Sequence, residues 1–323
     1  MAKVPKPGRD NRESCLSAVW KRLDLAAAAQ ASSGAAHAML EDSIQRGRVP
    51  QAGLMAVRIT NRAMDRWLLA RWTGSQANDD MIVRAFAYVY WGAQLSVTNR
   101  RGEAWGDLAP DDLLYDLLAW QGLAAAARES AFVDWVAPHL HNLFASGGVE
   151  KTMQFFAVDT PARDFTEMLQ RSLLTSKWPE PAQAAGLGPY AALFTAAAQP
   201  ADFRSALVDY CDYRTAECLG YAGIDATTRR RPSVDKSIMD RGSWEQVFPV
   251  ELLTLRHAFK KSTGRDLSLD APHPLLQTPL MTLEMPALTP LYHDALTQSL
   301  VRLGESAFGA QWRPAEPVRA RFL

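Results

Sequence analysis

The stretch LMAVRITNRAMDRWLLARW, Leu54 to Trp72, decides the fold class. Leu54, Val57, Met64, Leu68 and Trp72 recur at three- and four-residue spacings, which gathers them within about a quarter of a helix circumference. Arg58, Arg62 and Arg66 form a second stripe beside them. A segment apolar along one side and basic along the next is an amphipathic helix with one face buried.

The same reading extends along the chain. Asn78 is placed to cap a helix opening at Asp79-Asp80, whose Ile82, Phe86 and Val89 share one face. Pro110, Pro200 and Pro249 each stand at a helix start, where a missing N–H costs nothing. Behind them come Leu113, Leu114, Leu117 and Leu118; then Phe203, Leu207, Tyr210, Cys211 and Cys218; then Leu252, Leu255 and Phe259, stopping near Gly264. Thr289-Pro290 is read as the start of the last helix, with Tyr292, Leu296, Leu300 and Leu303 aligned before Gly304. No two-residue alternation and no Asn-Gly or Asp-Gly hairpin signal persists anywhere. The expected fold is therefore all-α, a multi-helix bundle.

Residues 1–15 read as a flexible, basic, proline-containing arm, and 16–323 as one helical domain. Two packed helical halves, dividing in the stretch 180–190, are the alternative. Breaks fall at Gly147-Gly148, Trp178 to Pro189 and Thr227 to Gly242. Five prolines between Asp270 and Pro290 make that stretch irregular, because a residue preceding proline is pushed out of helical geometry.

Lys+Arg and Asp+Glu both number 35, so the chain lacks the basic excess of a non-specific nucleic-acid binder. No apolar run reaches the roughly 18 residues needed to span a bilayer. Three cysteines without metal spacing, Cys15, Cys211 and Cys218, point to free thiols in a reducing compartment. The expectation is a cytoplasmic protein with neither nucleic-acid nor membrane partners. Nothing in the sequence specifies an oligomeric state.

Motifs for chemistry are sparse. Asp111-Asp112-Leu113-Leu114-Tyr115-Asp116 resembles the aspartate box of class I terpenoid synthases, which holds Mg²⁺ against a diphosphate. The second metal motif is missing: counting from Asp209, the hydroxyl position is Asp212 and the later acid position is Ala216. Acids after Pro110 are favoured by the helix dipole alone. His139 and His141 fall on opposite helix faces, and no His-Glu-x-x-His spacing, nucleophile elbow, Walker loop or dinucleotide fingerprint occurs. No metal or organic cofactor is expected and no catalytic residue is assigned, although helical enzymes can assemble a site from scattered residues. Trp105, Trp178 and Trp244 lie in loop-like stretches, where aromatic residues serve either packing or an interface.

Trp244-Glu245-Gln246-Val247-Phe248-Pro249-Val250-Glu251-Leu252-Leu253-Thr254-Leu255 is followed by Asp270-Ala271-Pro272-His273-Pro274-Leu275-Leu276. An aromatic entry, a Glu-Leu-Leu helix and a His-Pro-Leu segment resemble the C-terminal region of helical immunity proteins. Those proteins belong to bacterial polymorphic-toxin and type VI secretion systems. The resemblance covers the last quarter of the chain. It implies a cytoplasmic, all-helical protein that binds a cognate toxin or effector, including nuclease toxins, and occludes its active site. Carboxylates are the complement to a basic nuclease cleft. The densest run is Glu103, Asp107, Asp111, Asp112 and Asp116, with Asp209, Asp212 and Glu217 a second group. These are the candidate partner-binding residues. A helical enzyme without a recognisable motif and a secretion-system adaptor or chaperone are the competing readings.

Overall fold

In the computed structural model the described residues are 34–72, 78–99, 110–145, 160–222, 248–277, 281, 284–289 and 294–312. The 1–15 arm and the breaks at 147–148 and 227–242 lie outside them. The described residues are helical with irregular connections and contain no strand. The protein is an all-α, multi-helix bundle.

In chain order the helices are α1 (Gly34–Gln45), α2 (Val49–Trp72), α3 (Asp79–Asn99), α4 (Pro110–Ala126), α5 (Ser130–Ala145) and α6 (Thr160–Thr175). There follow α7 (Pro181–Ala184), a 3₁₀ turn (Gly188–Tyr190), α8 (Ala191–Thr195), α9 (Pro200–Ala222), α10 (Val250–Thr263) and α11 (Ala295–Phe308), closed by a 3₁₀ turn at Gly309–Gln311. Among these residues no helix is long and apolar enough to cross a membrane.

The helices divide between two compact units. A flanking unit takes Leu25–His139 and Glu284–Leu323, and a mid-chain unit includes Leu140–Leu283. The chain passes from one to the other within α5, one residue after Pro138, and returns at Leu283. Residues 180–190 lie inside the mid-chain unit.

The flanking unit is organised by α2 and α3, its most extensive helix pairing. Leu54, Val57, Met64 and Leu68 are buried along α2, and Arg58 and Arg66 are exposed. The α2 stripe is thus a core face. The two backbones meet at glycine: a Cβ on Gly53 would sit 2.8 Å from the Gly92 carbonyl, and one on Gly92 2.7 Å from the Gly53 carbonyl. Asn78 Oδ1 accepts the Asp80 N–H at 3.1 Å, the cap expected at the start of α3. Ile82, Phe86 and Val89 behind it are wholly buried. Phe86 meets Trp120 of α4 and Phe132 of α5, with centroids at 6.1 and 5.0 Å.

The expected start of the last helix shifts. Positions 290–293 lie outside the described residues, and α11 opens at Ala295 behind Asp294. Asp294 Oδ1 accepts the Thr297 N–H at 2.8 Å, and Thr297 Oγ1 accepts the Asp294 N–H at 3.0 Å. This reciprocal cap satisfies two donors that a helix start otherwise leaves open. Tyr88 of α3 donates to the other carboxylate oxygen, Oδ2. The helix also runs through Gly304 to Phe308, and the bare Gly304 leaves room for the Trp312 ring. Trp312 stacks on Trp91 of α3 with centroids 6.1 Å apart, and so ties the end of the unit to its middle.

The mid-chain unit has its own aromatic core. Phe165 of α6 stacks on Tyr190 at 4.7 Å and meets Phe194 of α8 at 5.6 Å. Trp178, one of the loop tryptophans, is half-buried. Its Nε1–H donates to the Phe194 carbonyl at 3.1 Å, and its ring meets the Phe259 ring edge-on at 4.9 Å. The role of Trp178 is packing. Helix α10 begins after Pro249 and ends at Gly264, whose N–H donates to the Lys260 carbonyl and whose φ of 73° then turns the chain out of the helix.

Candidate functional site

The expected carboxylates distribute unevenly. Glu103 and Asp107 lie outside the described residues. Asp111, Asp112 and Asp116 stand in the first turns of α4, and Glu217 stands in the last third of α9; only their backbone is described. Asp209 is exposed on α9. Asp212, three residues later, is not: it is 4% exposed and points into the mid-chain unit. The sequence groups it with partner-facing carboxylates, and the structure gives it an interior neighbour, His273.

Asp212 is one of five buried polar residues, supplied by three segments, that make two separate contacts: Tyr210 and Arg214 with Glu251, and Asp212 with His273. Helix α9 supplies Tyr210, Asp212 and Arg214, α10 supplies Glu251, and the segment after α10 supplies His273. Every one of them is less than 5% exposed. Tyr210 and Arg214 are one turn apart, so both reach the same side of α9. Arg214 Nε donates to Glu251 Oε1 at 2.6 Å, and the Tyr210 hydroxyl donates to that same oxygen. Arg214 Nη2 lies 3.5 Å from Glu251 Oε2.

Glu251 occupies the first turn of α10, where the helix dipole favours a carboxylate. Its neighbours Val250, Leu252 and Leu253 are core residues. The guanidinium supplies the charge and the hydrogen bonds that make an interior carboxylate tolerable. Burial first, and then the negative charge of Glu251, push the Tyr210 phenol well above its ordinary value of 10.0. Tyr210 therefore remains a neutral donor.

His273 sits in the turn Ala271 to Leu276 with no exposure. Its Nδ1 accepts the Leu275 N–H at 3.1 Å, and its Nε2 lies 3.4 Å from Asp212 Oδ1. In the neutral ring an accepting Nδ1 leaves the proton on Nε2, the side facing Asp212. A backbone turn thus sets the tautomer. The chain turns on both sides of His273: the His273 N–H donates to the Ala271 carbonyl, and the Leu276 N–H donates to the His273 carbonyl.

Arg214 is the member that the sequence reading passed over. The signal was present: Phe203, Leu207, Tyr210 and Arg214 keep one heptad-like register, and a charged residue in that register needs a buried partner. Glu251 and His273 lie within the quoted C-terminal segments, and the structure gives both an interior role. Among the described residues no group of three or more His, Cys, Asp and Glu is arranged to hold a metal. Cys211, between Tyr210 and Asp212 in sequence, is buried. Comparison of the chain with protein-family models, with curated proteins and with solved structures yields no match.

Proposed function

We propose that this protein is a stoichiometric inhibitor that binds a cognate bacterial toxin, a nuclease effector in the simplest case, and occludes its active site in the cytoplasm. The observation that carries the reading is the burial of Glu251 and His273, one polar residue from each of the two segments that resemble immunity proteins. Glu251, bonded to Arg214 and Tyr210, cross-links α10 to α9 from inside, and His273 packs its Nε2 against Asp212 of α9. An internal frame of this kind keeps a surface in one shape before its partner arrives, which lowers the entropic cost of association. Neutralisation needs such a surface and no reaction centre.

In this reading Asp111, Asp112 and Asp116, with Glu103, Asp107, Asp209 and Glu217, are the partner-facing carboxylates. Asp212 leaves that set because it is interior.

The test is co-expression. The gene adjacent to this one is expressed in a bacterial host with and without the protein, and the pair is then purified together. Restored growth with a stable complex is the expected result. A toxic neighbour that is neither bound nor rescued overturns the proposal. Reversing charge with D111K and D112K together should slow association and flatten its salt dependence.

An enzymatic reading has one observation behind it, the His273–Asp212 contact with its fixed tautomer. Burial weighs against it, since His273 is 0% exposed and a substrate has to reach a catalytic group. The two readings separate on H273Q. An enzyme loses turnover with little change in melting temperature, whereas a frame residue loses stability first.

A further inference from the structure

No further inference is drawn: the strongest candidate, the buried side-chain cluster of Tyr210, Arg214 and Glu251 joining α9 to α10, belongs to the site already described.

Discussion

Arg214 Nε and Glu251 Oε1 lie 2.6 Å apart in the interior of the mid-chain unit, with 2% and 1% of their side chains exposed. Their sequence separation is 37 residues, so the pair joins two helices rather than two turns of one. Taking either charge out of water is expensive, and each is tolerable only because the other is present.

That dependence gives a thermodynamic cycle. Arg214→Met or Glu251→Leu alone leaves a buried charge without its partner and should cost about 3–5 kcal/mol. The double substitution leaves no charge behind and should cost much less than the sum. Chemical denaturation of the four proteins measures the coupling. Additive losses would mean that the two residues act independently.

The alkaline limb of stability should depend on Tyr210. Burial and the Glu251 charge raise its pKa, so the unfolded chain releases this proton before the folded one does. The contribution is fully present below the ordinary value of 10.0 and is lost as pH rises from there through the raised value. Tyr210→Phe should flatten that limb in melting curves taken against pH. An unchanged limb would show that other groups govern it.

Asp79 should behave in the opposite sense at the acid end. Burial works to raise it, but hydrogen bonds from Trp67 and Arg71 and the Arg71 charge prevail and hold it below 3.8. Its contribution is present above 3.8 and is lost as pH falls through the lowered value. Asp79→Asn should flatten the acid limb, as measured by denaturation between mildly and strongly acidic buffers.

Two helix ends share one geometry with different residues. After α1, Gly47 and Arg48 donate to the Ile44 and Ser43 carbonyls; after α4, Arg128 and Glu129 donate to the Ala125 and Ala124 carbonyls. Gly47 has φ 65° and Arg128 has φ 60°, so Arg128 holds a conformation that disfavours any side chain. Arg128→Gly should stabilise the protein by about 0.5–1 kcal/mol, and Gly47→Ala should destabilise it by about 1 kcal/mol. Thermal melts of both variants test the signs. A destabilising Arg128→Gly would reveal a contact of the arginine side chain that outweighs the backbone gain.

A methyl group at Gly304 would meet the Trp312 ring at 2.4–2.5 Å. Gly304→Ala should therefore drive Trp312 off its stack with Trp91, at a cost of about 1–3 kcal/mol. Tryptophan fluorescence would shift toward that of an exposed indole. An unshifted spectrum with full stability would place Trp312 elsewhere.

Much of the helical plan was legible because its signals are local. Asn78, Pro110, Pro200, Pro249 and Gly264 each act on backbone groups within a few residues, so their sequence neighbours suffice to read them. The start of α11 was not read at Asp294: the Asp294–Thr297 cap is local, but Thr289-Pro290 upstream offers a competing start, and the Tyr88 bond to Asp294 comes from far away in the chain. The same division applies to the candidate site. Asp209 and Asp212 differ by only about 60° around α9. Which of them faces inward is decided by where the buried arc ends, and that depends on α10 and the His273 turn. Arg214 sat in an apolar register, yet its meaning lay in a glutamate on another helix.

The split course of the flanking unit has a consequence for its synthesis. Tyr88 and Asp294 are 206 residues apart, and Trp312 follows still later. At about 5–20 residues per second, α3 leaves the ribosome roughly 10–40 seconds before its last partners exist. During that interval the Trp91 face that will receive Trp312 stays uncovered while residues 140–283 of the other unit are made. A nascent chain arrested before residue 294 should accordingly be the form that chaperones hold longest.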